Sequence, residues 1–330
     1  MPLTDLTLTE LEQYVPVLEQ PDDLEDFWQQ TLKTAAAQPI ELRIERRPTR
    51  LRTLEHYDIT FAGYGGAPIK AWLTRPAGVT EELPLVIQFQ GYNGGRGLPV
   101  EQLTWASAGY AHLFVDTRGQ GGVWGTGGST PDPEGSGPSA PGFMTRGILD
   151  RDTYFYRRVY VDAVRAVEAG RQLPGVDPEA VAVTGASQGG GITLAVASLV
   201  PGLTAVMPDV PFLSHFRRAV DITGEDPYLE ITRYLSTHRD HAEQVFRTLS
   251  YFDVANLVTL ASAPALFSVA LMDAICPPST VYAAYRRYAG PAEIEVYPYN
   301  DHEGGQAFHW TRQLDWLAER MPAGSPTRID

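Results

Sequence analysis

Ser187 sits in Gly185-Ala186-Ser187-Gln188-Gly189, directly after the apolar run Ala180–Val183 and shortly before a second one that begins at Ile192. A serine hydroxyl is a weak nucleophile near neutral pH. It needs a base within hydrogen-bond reach and an acid that orients the base. Glycines on either side bury little and cost chain entropy, so they need a geometric use. A strand, a Gly-x-Ser-x-Gly turn and a helix in succession supply one: the turn is tight, and it lifts the hydroxyl above the carboxyl end of a sheet. The helix N-terminus beside it favours developing negative charge. A chain with 31 glycines can produce the pentapeptide by accident, and the flanking strand and helix give it weight.

Two residues complete the chemistry. The run "ALFSVALMD" ends on Asp273, and "IEVYPYND" is followed by His302. Serine, acid and histidine in that chain order are what a hydrolase on a parallel sheet uses. Asp116 and Asp209 have the wrong topological place for the acid, and Asp301 is too near its own neighbour to reach the imidazole. His309 falls inside a helix. The predicted triad is Ser187, Asp273 and His302. An oxyanion hole needs two backbone amides. Gln188, after the serine, offers one. Tyr92, in the Gly-rich loop after "VIQFQ", offers the other. Cys276 lies just past Asp273, where it lines the pocket or packs as a small buried hydrophobe. Trp124 is a second candidate for the pocket wall.

Elements that would hold these residues in place are legible around them. Asp22–Gln38 has helical periodicity with acids in its first turn. His56–Pro76 reads as an antiparallel hairpin. From Pro84 the apolar runs are continuous, as in strands buried on both faces of a parallel sheet. Helical segments alternate with them, at Pro99–Gly109, Asp152–Leu173, Ser279–Gly290 and Gln306–Met321. The prediction is one α/β domain over residues 1–330, with a doubly wound, mostly parallel sheet and antiparallel N-terminal strands. A helical extension covers residues 1–40, and a helical insertion over the sheet covers about 212–260. A Gly/Pro-rich loop from Gly119 to Asp150 carries Trp124, Phe143 and Met144, which argue that it packs down. The last residues, from Pro322, read as a frayed tail.

Composition narrows the function. The formal net charge of −14 argues against a nucleic-acid partner. No apolar stretch approaches the ~18–20 residues of a membrane span. The N-terminus carries acids where an export signal has basic residues, so the expected compartment is the cytoplasm. A single cysteine and seven scattered histidines, without HExxH, predict no disulfide, no metal and no cofactor.

Several stretches together resemble one family: "GYNGG" (Gly91–Gly95), "DTRGQGG" (Asp116–Gly122), "PGFMTRGILD" (Pro141–Asp150), "GASQGGG", "DVPFLSHFRRAV", "LMDAICPPSTVYAAY" and "DHEGG". From about residue 60 to 310 the chain is similar to the carbohydrate esterases that comprise acetyl xylan esterases and cephalosporin C deacetylases. The resemblance implies an α/β-hydrolase fold and hydrolysis of small acetyl esters, including acetylated xylo-oligosaccharides and cephalosporin C. It carries the triad onto Ser187, Asp273 and His302 and the oxyanion amides onto Tyr92 and Gln188. It further implies a cytoplasmic enzyme, often a hexamer, with relatives that use peroxide in place of water. Gln90 stands where family members often have histidine. Arg118 and Gln120 belong to the family's distinguishing triplet, and their residue types in a Gly-rich loop suit donors that order the loop. Two rival readings share the turn: a peptidase of the prolyl oligopeptidase type, and a non-catalytic binding protein of the same fold. About eighty residues before the core are too few for the former's propeller, and an intact triad argues against the latter.

Overall fold

The computed structural model describes residues 5–134 and 142–324. Pro141, the stretch before it in the Gly/Pro-rich loop, and the end of the C-terminal tail lie outside the described residues. Nine strands form one sheet: β1 (Arg43–Arg46), β2 (Leu54–Ala62), β3 (Pro68–Pro76), β4 (Leu83–Phe89), β5 (Ala111–Val115), β6 (Val176–Ala186), β7 (Ala205–Asp209), β8 (Ala265–Ala270) and β9 (Ala292–Tyr297). Their order is β1-β2-β3-β5-β4-β6-β7-β8-β9. The pairs β1–β2, β2–β3 and β3–β5 are antiparallel, and every pair from β5 to β9 is parallel. The expected hairpin is therefore extended by an edge strand, β1, whose residues are all exposed.

The apolar runs became β4 to β9, but burial on both faces holds for β4 to β8 only; β9 lies at the sheet edge, half-buried, because Glu293 and Glu295 interrupt its apolar residues. Leu85, Val86 and Ile87 of β4, Val181, Ala182 and Val183 of β6, and Val206 of β7 are fully buried. Helices cover both faces, as two-sided burial requires. Phe155–Gly170 is buried along nearly its whole length, and Gln188–Leu199 packs beside it. On the other face Trp316 and Leu317 of the Gln306–Ala318 helix join Trp105, Val86 and Met207.

The chain leaves β4 for β5 on one side and returns to β6 on the other. Strand order thus reverses at β4, and ligands of open α/β sheets bind at the carboxyl ends of the strands beside such a switch. Register aligns those ends: Phe89 pairs with Val115 and Gly185, and Gly185 with Pro208. Between β7 and β8 the chain runs through helices Phe216–Ile222, Tyr228–Thr237, Ala242–Ser250 and Val254–Leu257. The N-terminal helix Leu24–Ala36 packs against this excursion, where Trp28 Nε1 donates to Tyr251 O at 2.9 Å.

Candidate active site

Ser187 occupies a turn that only glycine-rich neighbours allow. Its φ is 55° and ψ −119°, a strained conformation for a residue with a side chain. The turn is pinned on both sides: Ser187 N donates to Asp209 O at 3.0 Å, and Phe212 N donates to Ser187 O at 2.9 Å. The surrounding glycines are explained by close approach. A Cβ on Gly189 would lie 2.2 Å from Phe89 O, one on Gly191 2.3 Å from Phe212 O, and one on Gly185 2.5 Å from the Gly189 backbone. The spaces that side chains would fill are occupied by backbone: the end of β4, the segment after β7 and the first turn of the helix that follows the serine.

The three predicted triad residues meet. His302 Nε2 is 3.0 Å from Ser187 Oγ, and His302 Nδ1 is 2.8 Å from Asp273 Oδ2. Asp273 is fully buried, and its Oδ1 accepts from Ile275 N and Cys276 N, both at 2.8 Å. With one oxygen held by two amides, the other is aimed at the imidazole. Burial opposes a charge on His302, but the Asp273 hydrogen bond and charge, with Asp209 and Asp301 adding to them, outweigh it. The imidazole is held above its ordinary pKa. Of the rival acids, Asp209 bonds Ser268 and Asp301 accepts from Ala274 N at 3.4 Å. Asp116 accepts the amides of Arg96 and Ser129. His309 is buried in its helix and bonded to Tyr297.

Cys276 is completely buried beside Ser187. Burial first, then the charge of Asp273, push its thiol well above the ordinary range. One ligand atom each from Asp273, Cys276 and His302 lie within 4.8 Å of one another. The donor set suits a metal poorly: a protonated thiol is not a ligand, and the carboxylate oxygens of Asp273 already have partners.

Gln188 follows the serine, and the loop that carries Tyr92 meets it where Gln188 Nε2 donates to Gln90 O at 3.2 Å. Gln188 begins its helix, so its amide has no acceptor within the helix. Among the described residues neither this amide nor that of Tyr92 donates to a protein acceptor. The loop carrying Tyr92 is fastened at several points. Trp124 Nε1 donates to Tyr92 O at 2.6 Å, and Asn93 N donates to Gln120 Oε1 at 2.9 Å. Gln90 braces the same loop, accepting from Gly91 N at 2.7 Å and donating to Gly95 O at 2.8 Å. Gly94 leaves room for the Trp124 ring, since a Cβ there would fall 2.4 Å from it. Trp124 itself is half exposed.

Gln120 and Arg118 divide their work. Gln120 reaches Gln188, whose side chain also accepts from Tyr156 Oη at 2.9 Å. Arg118 turns into the protein and grips Asp162 with two bonds of 2.5 and 2.7 Å, with Asp132 beyond at 3.4 Å. It orders the loop and does not face the serine.

Glu230 was not anticipated from sequence. It lies in the Tyr228–Thr237 helix, 5 % exposed, and its carboxylate accepts from Tyr92 Oη at 2.8 and 2.9 Å and from Met144 N at 3.1 Å. The legible signal was an acid on the buried stripe that Ile231 and Tyr234 continue.

Sheet order and the serine turn define an α/β-hydrolase. The family description "Acetyl xylan esterase (AXE1)" matches residues 1–320. The acetyl xylan esterase from Paenibacillus sp. R4 superposes with a TM-score of 0.90 at 38% identity, covering 96% of this chain and 100% of that one. Acetyl xylan esterase 1 from Thermoanaerobacterium sp. JW/SL YS485 gives 0.88 at 32% identity, over 96% and 99%. Acetyl esterase Axe7A of Xylanibacter ruminicola is 33% identical over 181 residues, which span 54% of this chain and 40% of that relative. The chain belongs to the acetyl xylan esterase family, and so to the carboxylic-ester hydrolases.

Proposed function

We propose that this chain removes acetyl groups from small acetyl esters, acetylated xylo-oligosaccharides among them, through an acetyl-Ser187 intermediate. The observation that carries this reading is the unbroken line of contacts from Ser187 Oγ through His302 to Asp273. His302 Nε2 takes the hydroxyl proton as Ser187 Oγ attacks the acetyl carbonyl carbon. The Gln188 and Tyr92 amides receive the oxyanion, which shares its charge with two preorganised dipoles. Collapse expels the alcohol, which takes the proton from His302. Water then gives a proton to His302 and attacks the acetyl-serine; acetate leaves and Ser187 recovers its proton. Asp273 holds the imidazole with Nε2 towards the serine and stabilises the transient imidazolium.

Cephalosporin C carries an acetoxymethyl ester that suits the same steps. Hydrogen peroxide in place of water would release peracetic acid from the acetyl-serine. Residues 1–330 act as one domain in this reading, with a helical extension over 1–40 and a helical insertion over the sheet at about 212–260. A cytoplasmic hexamer remains the expectation drawn from family likeness. No helix among the described residues is long and apolar enough to cross a membrane.

The test is hydrolysis of p-nitrophenyl acetate and butyrate by the wild type and Ser187→Ala, followed by acetylated xylo-oligosaccharides and cephalosporin C. Acetate turnover that falls with the longer acyl chain and vanishes in the variant supports the proposal. Undiminished activity of Ser187→Ala removes the nucleophile. A wild type inert to every acetyl ester, yet active on a peptide amide, favours the peptidase reading.

A further inference from the structure

Tyr92 is tied to the rest of the molecule through its side chain as well as its backbone. Its phenol donates to the Glu230 carboxylate, spanning both oxygens, and accepts from Phe143 N at 2.6 Å. Glu230 accepts in turn from Met144 N. Three segments far apart in sequence therefore meet at one buried carboxylate: the loop after β4, the 143–144 segment, and the Tyr228–Thr237 helix. Packing leaves the carboxylate no slack, since a Cβ on Gly142 would lie 1.9 Å from Glu230 Oε1. The Tyr92 ring is also fixed edge-on by Phe143 and Phe212, with centroids at 5.9 and 6.2 Å.

We propose that Glu230 is a positioning residue for ester hydrolysis: in its ionised form it clamps the Tyr92 side chain and so holds the Tyr92 amide where the oxyanion forms. This rests on the reading of Tyr92 as an oxyanion donor. A displacement of about 1 Å in a preorganised donor is enough to slow chemistry roughly a hundredfold. A buried carboxylate that accepts from two donors, the Tyr92 phenol and the Met144 amide, is a stiff anchor, because charged acceptors hold their donors more tightly than neutral ones.

Glu230 is an unusual choice for a merely structural anchor. Burial pushes its pKa up to about 7; the Tyr92 and Met144 bonds and Arg233 oppose this, and Asp226 adds to it. Tyr154 and Tyr156, also facing it, are fully buried and neutral. An acid whose folded pKa is raised binds more protons folded than unfolded between its ordinary value and about 7. Stability from this group is therefore present at low pH and lost as pH rises to about 7. The ionised form costs stability and, in the proposal, gains rate. Protonation weakens the clamp, so Glu230 adds a second ionisation to the acid limb set by His302.

Glu230→Gln and Tyr92→Phe test this, each assayed for p-nitrophenyl acetate hydrolysis between pH 5 and pH 9 and for thermal stability at pH 8. The amide of Gln can accept from Tyr92 and Met144, so it mimics the protonated acid. Expected is a kcat roughly ten- to a hundredfold lower in both variants, with KM little changed. The double variant should lose little more than either single one. Log kcat/KM of the wild type should fall at acid pH more steeply than one proton allows, and that of Glu230→Gln with a single-proton slope. The Tm of Glu230→Gln at pH 8 should be unchanged or raised. Wild-type kcat and pH slope in Glu230→Gln overturn the proposal, as does a kcat loss matched by a lowered Tm. If Ser187→Ala is inactive while both variants behave as wild type, the clamp alone fails. If Ser187→Ala is fully active, the nucleophile reading fails, and the clamp with it.

Discussion

Gln120 and Gln188 exchange two hydrogen bonds through their side-chain amides, Gln120 Nε2 to Gln188 Oε1 at 2.9 Å and Gln188 Nε2 to Gln120 Oε1 at 3.0 Å. Both are buried. Gln120 Oε1 also takes Asn93 N, and Gln188 Nε2 reaches Gln90 O at 3.2 Å. One amide pair thus fastens the loop after β4 to the residue that follows the serine. Those two segments carry the two proposed oxyanion amides, and a fully satisfied buried network fixes their spacing.

Gln120→Ala should therefore act on rate more than on substrate binding. The expected loss in kcat is roughly ten- to a hundredfold, with KM changed little, because the amides matter most when the oxyanion forms. Steady-state kinetics on p-nitrophenyl acetate read both parameters. An increase in KM alone would mean that the pair shapes the substrate site instead.

The acid limb of kcat/KM follows from His302. The base must be neutral to accept the Ser187 proton, and its pKa is raised, chiefly by Asp273 against the opposing effect of burial. Activity should be lost as pH falls through a midpoint above the ordinary histidine value of ~6.5. In Asp273→Asn the midpoint moves to lower pH and kcat drops by about 10⁴. A pH–rate profile of both proteins checks the direction of the shift.

The proposed triad was legible because each member sits just past the carboxyl end of a parallel strand; β6 and β8 are marked by buried apolar runs, whereas β9 is a half-buried edge strand in which Glu293 and Glu295 alternate with apolar residues. Ser187, Asp273 and His302 follow β6, β8 and β9. β1 escaped because Arg43–Arg46 buries no side chain, so it has no apolar alternation; it pairs through its backbone and an exposed Arg46–Glu55 ion pair. The Pro99–Gly109 segment is helical only over Thr104–Ser107, since a turn from Leu98 to Glu101 occupies its start. Tyr92 and Glu230 are separated by 138 residues, and no local pattern states which buried acid a loop tyrosine will meet.

Gly189→Ala offers a structural check on the serine turn. The added methyl would meet Phe89 O at 2.2 Å, backbone that moves only with β4. Destabilisation of about 3 kcal/mol is expected from such overpacking. Gly122→Ala, where a Cβ meets nothing within 4 Å, should stay within ~0.5 kcal/mol of wild type. Urea denaturation midpoints distinguish the two.

Arg118→Met should destabilise the fold. It removes the guanidinium that pairs with buried Asp162, while Asp132 keeps Arg158 at 2.8 Å, and leaving a buried charge unpaired costs about 3–5 kcal/mol. Calorimetry at pH 7 measures the loss. A variant as stable as wild type would show that the cluster relaxes by taking up protons.

In the proposed reaction Ser187 carries the acetyl group during turnover. Acid quenching during hydrolysis of p-nitrophenyl acetate, followed by peptide mass spectrometry, traps that intermediate. Expected is the mass of one acetyl group on the peptide containing Ser187, absent from Ser187→Ala. An acetyl group on another residue, or full turnover by Ser187→Ala, would contradict it.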